Sequence, residues 1–307
     1  MPYQISNIII NSPIILAPMA GYTDSSFRQI CMSQGAGMTY TELISAEGII
    51  RNNSKTTDLL KFTESERPIA IQIFGSDPAV MSKAAIIIEK LSPDAIDINM
   101  GCCAPKITGS GSGAAVLCDP VKMSKIAESV VKSVNLPVSA KIRIGWDLNS
   151  KNYKTTVKIL EDSGISHIAV HGRTNSQKYS GISDWNIISE IAGLTPMPVI
   201  GSGDIESYDD ACDKLKQSGC KAVMIGRNAV GNPWIFSGKT PDIKGIKNMI
   251  LKHVTMMMES YGNYGVILSR KHLVKYIHDF RNSSSVRQLM VHAETIDDVN
   301  QALTHLM

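Results

Sequence analysis

Eight short apolar stretches, each followed by a segment with helical signals, constrain this fold more than any other feature of the chain. They occupy residues 14–17, 38–41, 69–74, 95–99, 138–143, 167–171, 199–202 and 222–225. Most are apolar throughout rather than alternating, the pattern of parallel strands covered on both faces. Asp77 precedes Pro78 as an N-cap precedes a proline at the first helical position. Val80, Met81, Ala84, Ile87, Ile88 and Leu91 then fall on one face. Asp119 and Pro120 repeat that start ahead of Met123, Ile126, Val130 and Val134. Ser207 is placed to cap a helix that buries Ala211 and Leu215 and stops at Gly219. Eight strand–helix units of the α/β class predict a (β/α)8 TIM barrel. A doubly wound open sheet uses the same units, but strand count and length favour closure.

The chain has 307 residues, more than the roughly 250 such a barrel needs. Its 43% hydrophobic and 19% charged residues allow a large core and exclude disorder as the main state. After residue 225 the strand runs stop. Helices are predicted near 243–261, 268–280 and 295–306, the last opened by a capping box, Thr295 to Asp298. We therefore expect a barrel domain over 1–238 and a small C-terminal helical domain over 239–307. The latter carries Lys244, Lys247, Lys252, Arg270, Lys271, Lys275, Arg281 and Arg287. Such charges suit an ordinary solvated helix face as well as a nucleic-acid surface. Met256, Met257 and Met258 read as flexible core filling.

Other classes fall away. A net charge of +3 excludes a polycation but allows a local basic face. The six cysteines make no C-x-x-C pair and have irregular spacing, so neither a metal site nor a disulfide framework is expected. The start Met1-Pro2-Tyr3-Gln4 lacks the basic region of a leader, and no run approaches the ~18–20 apolar residues of a membrane span. A cytoplasmic protein without membrane contact is the expectation, and a monomer the default.

Barrel active sites lie at the C-terminal ends of the strands. Reading those ends in order gives Pro18, Met19 and Ala20, then Gln72, then Asn99 to Cys102. Lys141 and Arg143 end the fifth run, and His171 and Arg173 the sixth. Ser202, Gly203 and Asp204 follow the seventh, and Gly226 and Arg227 the eighth. Any one of these could be a satisfied structural polar group, but so many on one rim argue for a site. The glycine-rich ends of the last two strands suit a phosphate, with Arg227 adding charge, although tight turns would also use glycine. A cation at Lys141 suits the electron-rich pyrimidine side of a reduced flavin, or else a buried ion pair. The Cys102 thiol, with an ordinary pKa of ~8.5, stays mostly protonated at neutral pH and could donate a proton. Cys103 reads as structural. Gly238-Lys239-Thr240 is no P-loop, since six residues rather than four separate it from Gly231. Gly109-Ser110-Gly111-Ser112-Gly113 reads as a mobile loop.

At this point the chain resembles the tRNA-dihydrouridine synthase family, over about residues 8–306. The resemblance is carried by Ala17-Pro18-Met19-Ala20-Gly21-Tyr22-Thr23-Asp24 with Phe27-Arg28, by Gln72-Ile73-Phe74-Gly75, and by Asp97-Ile98-Asn99-Met100-Gly101-Cys102. Lys141-Ile142-Arg143-Ile144-Gly145-Trp146 and His171-Gly172-Arg173-Thr174 continue it. Tyr179-Ser180-Gly181, Asp184-Trp185, Gly203-Asp204-Ile205 and Met224-Ile225-Gly226-Arg227 complete the barrel part. Order and spacing, with Arg270-Lys271-His272-Leu273 in the tail, look most like the bacterial B-type branch. The resemblance implies FMN held by Pro18, Met19, Ala20, Gln72, Lys141 and His171, with its phosphate end at Ser202, Gly203, Asp204, Gly226 and Arg227. It implies NADPH as electron donor and a D-loop uridine of tRNA as substrate. Asn99, Arg143 and Arg173 would position the base and Cys102 would protonate C5.

Three departures from the family pattern stand out. Cys103 replaces a proline, Ser202 an asparagine, and Gly109-Ser110-Gly111 a Lys-Asn-Gly. Two other readings remain open: a flavin barrel acting on a free pyrimidine, and an RNA-binding relative without catalysis.

Overall fold

The structure, a computed structural model, describes residues 3–278 and 280–306. Met1 and Pro2, where a leader was sought, lie outside that range, as do Asp279 and Met307. Strands β1 (Tyr3–Ile5) and β2 (Ile8–Ile10) form an antiparallel hairpin. The barrel strands follow: β3 (Ile14–Leu16), β4 (Thr39–Tyr40), β5 (Ile44–Ser45), β6 (Ile69–Phe74) and β7 (Ala95–Met100). Then come β8 (Val138–Arg143), β9 (His167–His171), β10 (Val199–Ser202) and β11 (Ala222–Ile225). The sheet runs β3-β11-β10-β9-β8-β7-β6-β4, every pairing parallel, with β5 extending β4 along β6. The ring closes where Leu16 N–H donates to the Met38 carbonyl at 3.0 Å and Gly37 N–H to that of Ile14 at 2.9 Å. The eight predicted runs are the eight staves of this barrel, and the open sheet is excluded.

The staves are not uniformly apolar, because their two faces meet different neighbours. Outward residues such as Ile71, Ile96, Ile98, Val138, Ile142, Ile168 and Val170 pack against Met81, Ala84, Ile88, Ile126 and Val130 of the surrounding helices. Many inward residues are small or polar. Residues in register on neighbouring parallel strands point the same way. One level of the interior is therefore Gln72, Asp97, Ser139 and His167. Nearer the mouth Asn99 aligns with Lys141, and Arg143 with His171. Ala70, Ala95, Ala169 and Ala222 share a core with Ile15 and Ile200 and with Ile5, Ile8 and Ile10 of the hairpin. The hairpin is thus a stopper in the N-terminal end of the barrel. The sequence reading did not foresee it, since Asn11, Ser12 and Pro13 merged its second strand with β3 into one broken run.

The caps form as the sequence predicts. Asp77 and Asp119 accept the backbone N–H groups of Val80 and Lys122, each ahead of a proline at the first turn. Ser207 accepts from Asp210, and its helix ends at Gly219 with φ of 70°. Thr295 and Asp298 form the capping box. After the barrel come helices Ile243–Tyr261, Tyr264–Tyr276, Ser283–His292 and Ile296–Thr304. The second lies about four residues earlier than expected, because Gly262 alone makes the break and Gly265 is accommodated in the helix. The third was not expected. Asn282 and three serines look like a loop, yet Val286 and Met290, four apart, are buried beneath it. The core of these helices includes Ile30 and Trp234 from the barrel side. Across the seam Asp24 accepts from His272 Nε2 at 3.0 Å and pairs with Lys271 at 3.5 Å. Among the described residues no helix is long and apolar enough to cross a membrane.

Candidate active site

A cavity of about 580 Å3 opens at the C-terminal mouth of the barrel, a volume typical of small-molecule sites. One wall is apolar and comes from the loop after β3: Ala17, Pro18, Met19 and Ala20, with Met224 beside them. The opposite wall carries Gln72, Asn99, Cys102, Lys141, Arg143 and His171. One end is closed by Ser202, Gly203 and Asp204 and by Gly226 and Arg227. All the residues singled out from the sequence except Arg173 therefore meet on one surface.

The floor is an ordered row of hydrogen bonds. Ser139 Oγ donates to Asp97 Oδ1 at 2.6 Å, and Gln72 Nε2 donates to Asp97 Oδ2 at 2.6 Å. Asn99 Nδ2 donates to Gln72 Oε1 at 2.8 Å. Asn99 Oδ1 then accepts the backbone N–H of Cys102 at 2.9 Å and of Gly101 at 3.2 Å. Burial pushes the Asp97 carboxyl up to about 6, against the pull of the Ser139 and Gln72 bonds and the Lys141 charge.

Cations dominate the rim. Burial, with the neighbouring Arg143, brings the Lys141 ammonium down to about 8. His171 is pushed well below its ordinary range, first by burial and then by Lys141, Arg143, Arg173 and Arg227. It is therefore neutral. Arg173 Nη1 lies 3.4 Å from His171 Nε2, and a guanidinium only donates, so the ring proton belongs on Nδ1. Arg143 cross-links two loops: Nε donates to the Gly101 carbonyl at 2.8 Å, and Nη1 to those of Thr174 and Lys178 at 2.8 Å. Arg173 is buried behind the wall rather than on it. It holds Asp204 and donates to the Ser180 and Gly181 carbonyls. Arg227, 60% exposed, leans over the Tyr179 ring at 5.0 Å, and Arg143 approaches the same ring at 5.7 Å. Gly203 has φ of 123°, and a Cβ there would lie 2.3 Å from Ser183 Oγ, so only glycine fits this end of the cavity.

The two thiols differ. Cys102 faces the cavity, and burial pushes its thiol up, opposed by the Ala104 N–H bond and aided by Cys103. It remains protonated at neutral pH. Cys103 also lines the cavity but is buried, and its sulfur accepts from Arg143 Nη2 at 3.5 Å. The glycine-rich segment is a turn between helix Pro105–Thr108 and the 3-10 stretch Gly113–Cys118. Gly113, with φ of 59°, packs so that a Cβ would lie 2.7 Å from the Cys102 carbonyl, which makes this turn a support for the Cys102 loop.

Sequence reasoning gave no role to Tyr22, Leu43, Tyr179 or Asn228, which also line the cavity. Nor did it give one to Asp97 and Ser139 beneath it. The signal for the latter pair was available: each lies two residues before a cavity residue on the same strand, and so on the same face. Away from the cavity, Asp24, His253 and His272 place one donor atom each within 4.8 Å of one another, a spacing within reach of a metal ion.

Known proteins resemble this chain in sequence along nearly its whole length. The family model described as dihydrouridine synthase matches residues 15–307. A probable tRNA-dihydrouridine synthase of Aquifex aeolicus is 40% identical, covering 93% of both chains. A tRNA-dihydrouridine synthase B of Vibrio cholerae is 36% identical over 98% of this chain and 97% of its own. In fold, the chain is similar to an old yellow enzyme homologue from Zymomonas mobilis, with a TM-score of 0.57 at 13% identity over 76% of this chain and 89% of that one. Histamine dehydrogenase from Rhizobium sp. 4-9 gives 0.59 at 15% identity over 83% of this chain and 50% of that one. The motifs, the barrel and the near full-length sequence match agree, and the chain belongs to the dihydrouridine synthase family.

Proposed function

We propose that this chain is a flavin-dependent tRNA-dihydrouridine synthase that reduces the C5=C6 bond of D-loop uridines, with FMN as cofactor, NADPH as electron donor and Cys102 as proton donor. The observation that carries the reading is the position of Cys102. A protonated thiol stands on the wall of a cavity built like a flavin site, in a chain of this family. The residues fit FMN. The apolar loop 17–20 would cover one face of a flat ring, and Lys141 would supply a cation for its electron-rich pyrimidine side. Gln72 offers an N–H to a ring carbonyl. The Ser202–Asp204 and Gly226–Arg227 turns, with the exposed Arg227 guanidinium, suit the phosphate.

When bound, the flavin supplies a hydride to C6 of the uracil. The chain's own residues do the rest. Asn99 and Arg143 orient the base, and Arg173 acts from behind the wall by holding the Asp204 turn. Cys102 delivers its proton to C5, and the row beneath keeps its backbone in place. The target base must leave its stack to reach the cavity, which is easiest in a loop. Residues 239–307 then form the RNA-binding part. A groove of about 530 Å3 lined by Arg227, Lys275, His278 and Arg287 joins it to the barrel mouth, and Lys244, Lys252 and Arg281 are exposed. We take the active form to be a cytoplasmic monomer.

The test is position-by-position mapping of dihydrouridine in tRNA from cells with and without the gene. Loss at defined D-loop positions, restored when the gene is returned, is the expected result. Unchanged dihydrouridine, together with a purified chain that is colourless and still binds tRNA, overturns the reading.

A further inference from the structure

The mechanism uses Gln72, Asn99 and Cys102 but leaves unexplained the carboxylate beneath them. Asp97 is 0% exposed and bonded to the neutral side chains of Ser139 and Gln72. Burying a carboxylate is unfavourable, so its presence needs a reason. The bonding pattern supplies one. A primary amide is nearly symmetric in shape, and its partners decide which end is oxygen and which nitrogen. An ionised carboxylate can only accept. Gln72 must therefore turn its NH2 group to Asp97 and its oxygen to Asn99. Asn99 must answer with its own NH2 group, which leaves Oδ1 for the backbone of Gly101 and Cys102. Each amide keeps one further N–H, and both side chains line the cavity. The reversed row would present carbonyl lone pairs to the same space. Flavin and uracil rings both carry carbonyl oxygens at their edges, and these need donors.

We propose that Asp97 is a positioning residue: its carboxylate fixes the direction of the Gln72–Asn99 row, so that both amides show N–H groups to the cavity and Asn99 holds the Cys102 loop. This rests on the reading of the chain as a flavin-dependent uridine reductase.

Asp97→Asn and Asp97→Ala separate direction from charge. The asparagine oxygen can still accept from Gln72 while its nitrogen donates to Ser139 Oγ, and the Gly101 and Cys102 N–H groups on Asn99 Oδ1 favour this arrangement over the turned one, so the row keeps its direction. Alanine removes the acceptor for Gln72 Nε2 and leaves the row held at its Asn99 end alone. The measurements are FMN affinity of the apo-protein, the position of the bound flavin's visible band, and kcat and KM on unmodified tRNA. For Asp97→Ala we expect FMN binding weaker by roughly tenfold with a shifted band, and kcat lower by about 100-fold at unchanged KM for tRNA. For Asp97→Asn both quantities stay within about threefold of the parent. A purely structural role would lower thermal stability without moving the band or separating kcat from KM. Should Asp97→Ala not fold, Asp97→Ser replaces it, because its single, shorter-reaching hydroxyl cannot replace both carboxylate oxygens and leaves Gln72 Nε2 without its acceptor. The proposal is overturned if the asparagine variant falls as far as the alanine or serine one, or if those variants match the parent. A parent chain that binds no flavin overturns both this proposal and the functional reading. A parent that is active while the variants are indistinguishable from it overturns this one alone.

Discussion

Arg173 grips Asp204 with both prongs of its guanidinium, Nη1 to Oδ1 at 2.8 Å and Nη2 to Oδ2 at 2.7 Å. The same group binds the Ser180 and Gly181 carbonyls, so one side chain ties the loop after β9 to the turn after β10. Burial alone would raise the Asp204 carboxyl, but the Arg173 bonds and the Ser183 N–H hold it below its ordinary value. Arg173→Ala leaves that carboxylate and two carbonyls without their partner. We expect a loss of about 3 kcal/mol in urea unfolding and FMN binding weaker by roughly tenfold. Arg173→Lys should restore little of either, because an ammonium cannot fork. A stability change below about 1 kcal/mol would show the clamp to be dispensable.

Cys102→Ala should keep a full complement of flavin and lose about 100-fold or more in dihydrouridine formation, the usual range for a lost general acid. Cys103→Ala should stay close to the parent, since its sulfur is engaged by Arg143 Nη2. Full activity in the first variant combined with loss in the second would transfer the acid role to Cys103.

Lys141 titrates at about 8 in the cavity. A bound reduced, anionic ring would favour the ammonium, so affinity for reduced FMN should be constant below that pH. Above it, affinity should fall by up to about tenfold per pH unit as the charge is lost. Lys141→Met should bind reduced FMN more weakly at neutral pH and without this slope. Titrations with reduced flavin from pH 6.5 to 9.5 check both. A slope that survives in the methionine variant would assign the titration to another group.

At the seam, burial alone would raise the Asp24 carboxyl, but the bond from His272 and the nearby Lys271 charge hold it well below its ordinary value. A depressed carboxyl contributes stability above its unfolded value of 3.8 and loses it as pH falls through the folded value. Asp24→Ala should therefore cost about 3 kcal/mol at pH 7, with the difference from the parent shrinking below pH ~4. Urea unfolding at the two pH values measures it. An equal difference at both would mean that the lost helix cap, where Asp24 accepts from Phe27 N–H, accounts for the whole effect.

Much of this architecture can be read in the sequence, for local reasons. β6, β8, β9, β10 and β11 lie at their predicted positions because four to six residues bounded by turn signals leave little freedom. Asp77, Asp119, Ser207 and Thr295 cap as expected because capping depends on residues three positions away. What stayed hidden depends on partners distant in sequence. The inward set of Asp97 and Ser139 needs the register between β7 and β8 before it becomes a pair. The Arg173 clamp needs Asp204, thirty-one residues away, and without it Arg173 looks like a substrate contact. Helix Ser283–His292 has no side-chain cap and opens on serines, so its burial against the preceding helices, rather than its propensity, reveals it.

The hairpin of β1 and β2 corks the far end of the barrel with Ile5, Ile8 and Ile10. A corked vessel has one doorway. Under the proposed reaction, the dinucleotide that recharges the ring and the RNA that discharges it must both come through that doorway to the same exposed face. They must take turns. Each catalytic cycle is then two separate visits, and whatever lingers in the doorway after the first sets the pace of the second.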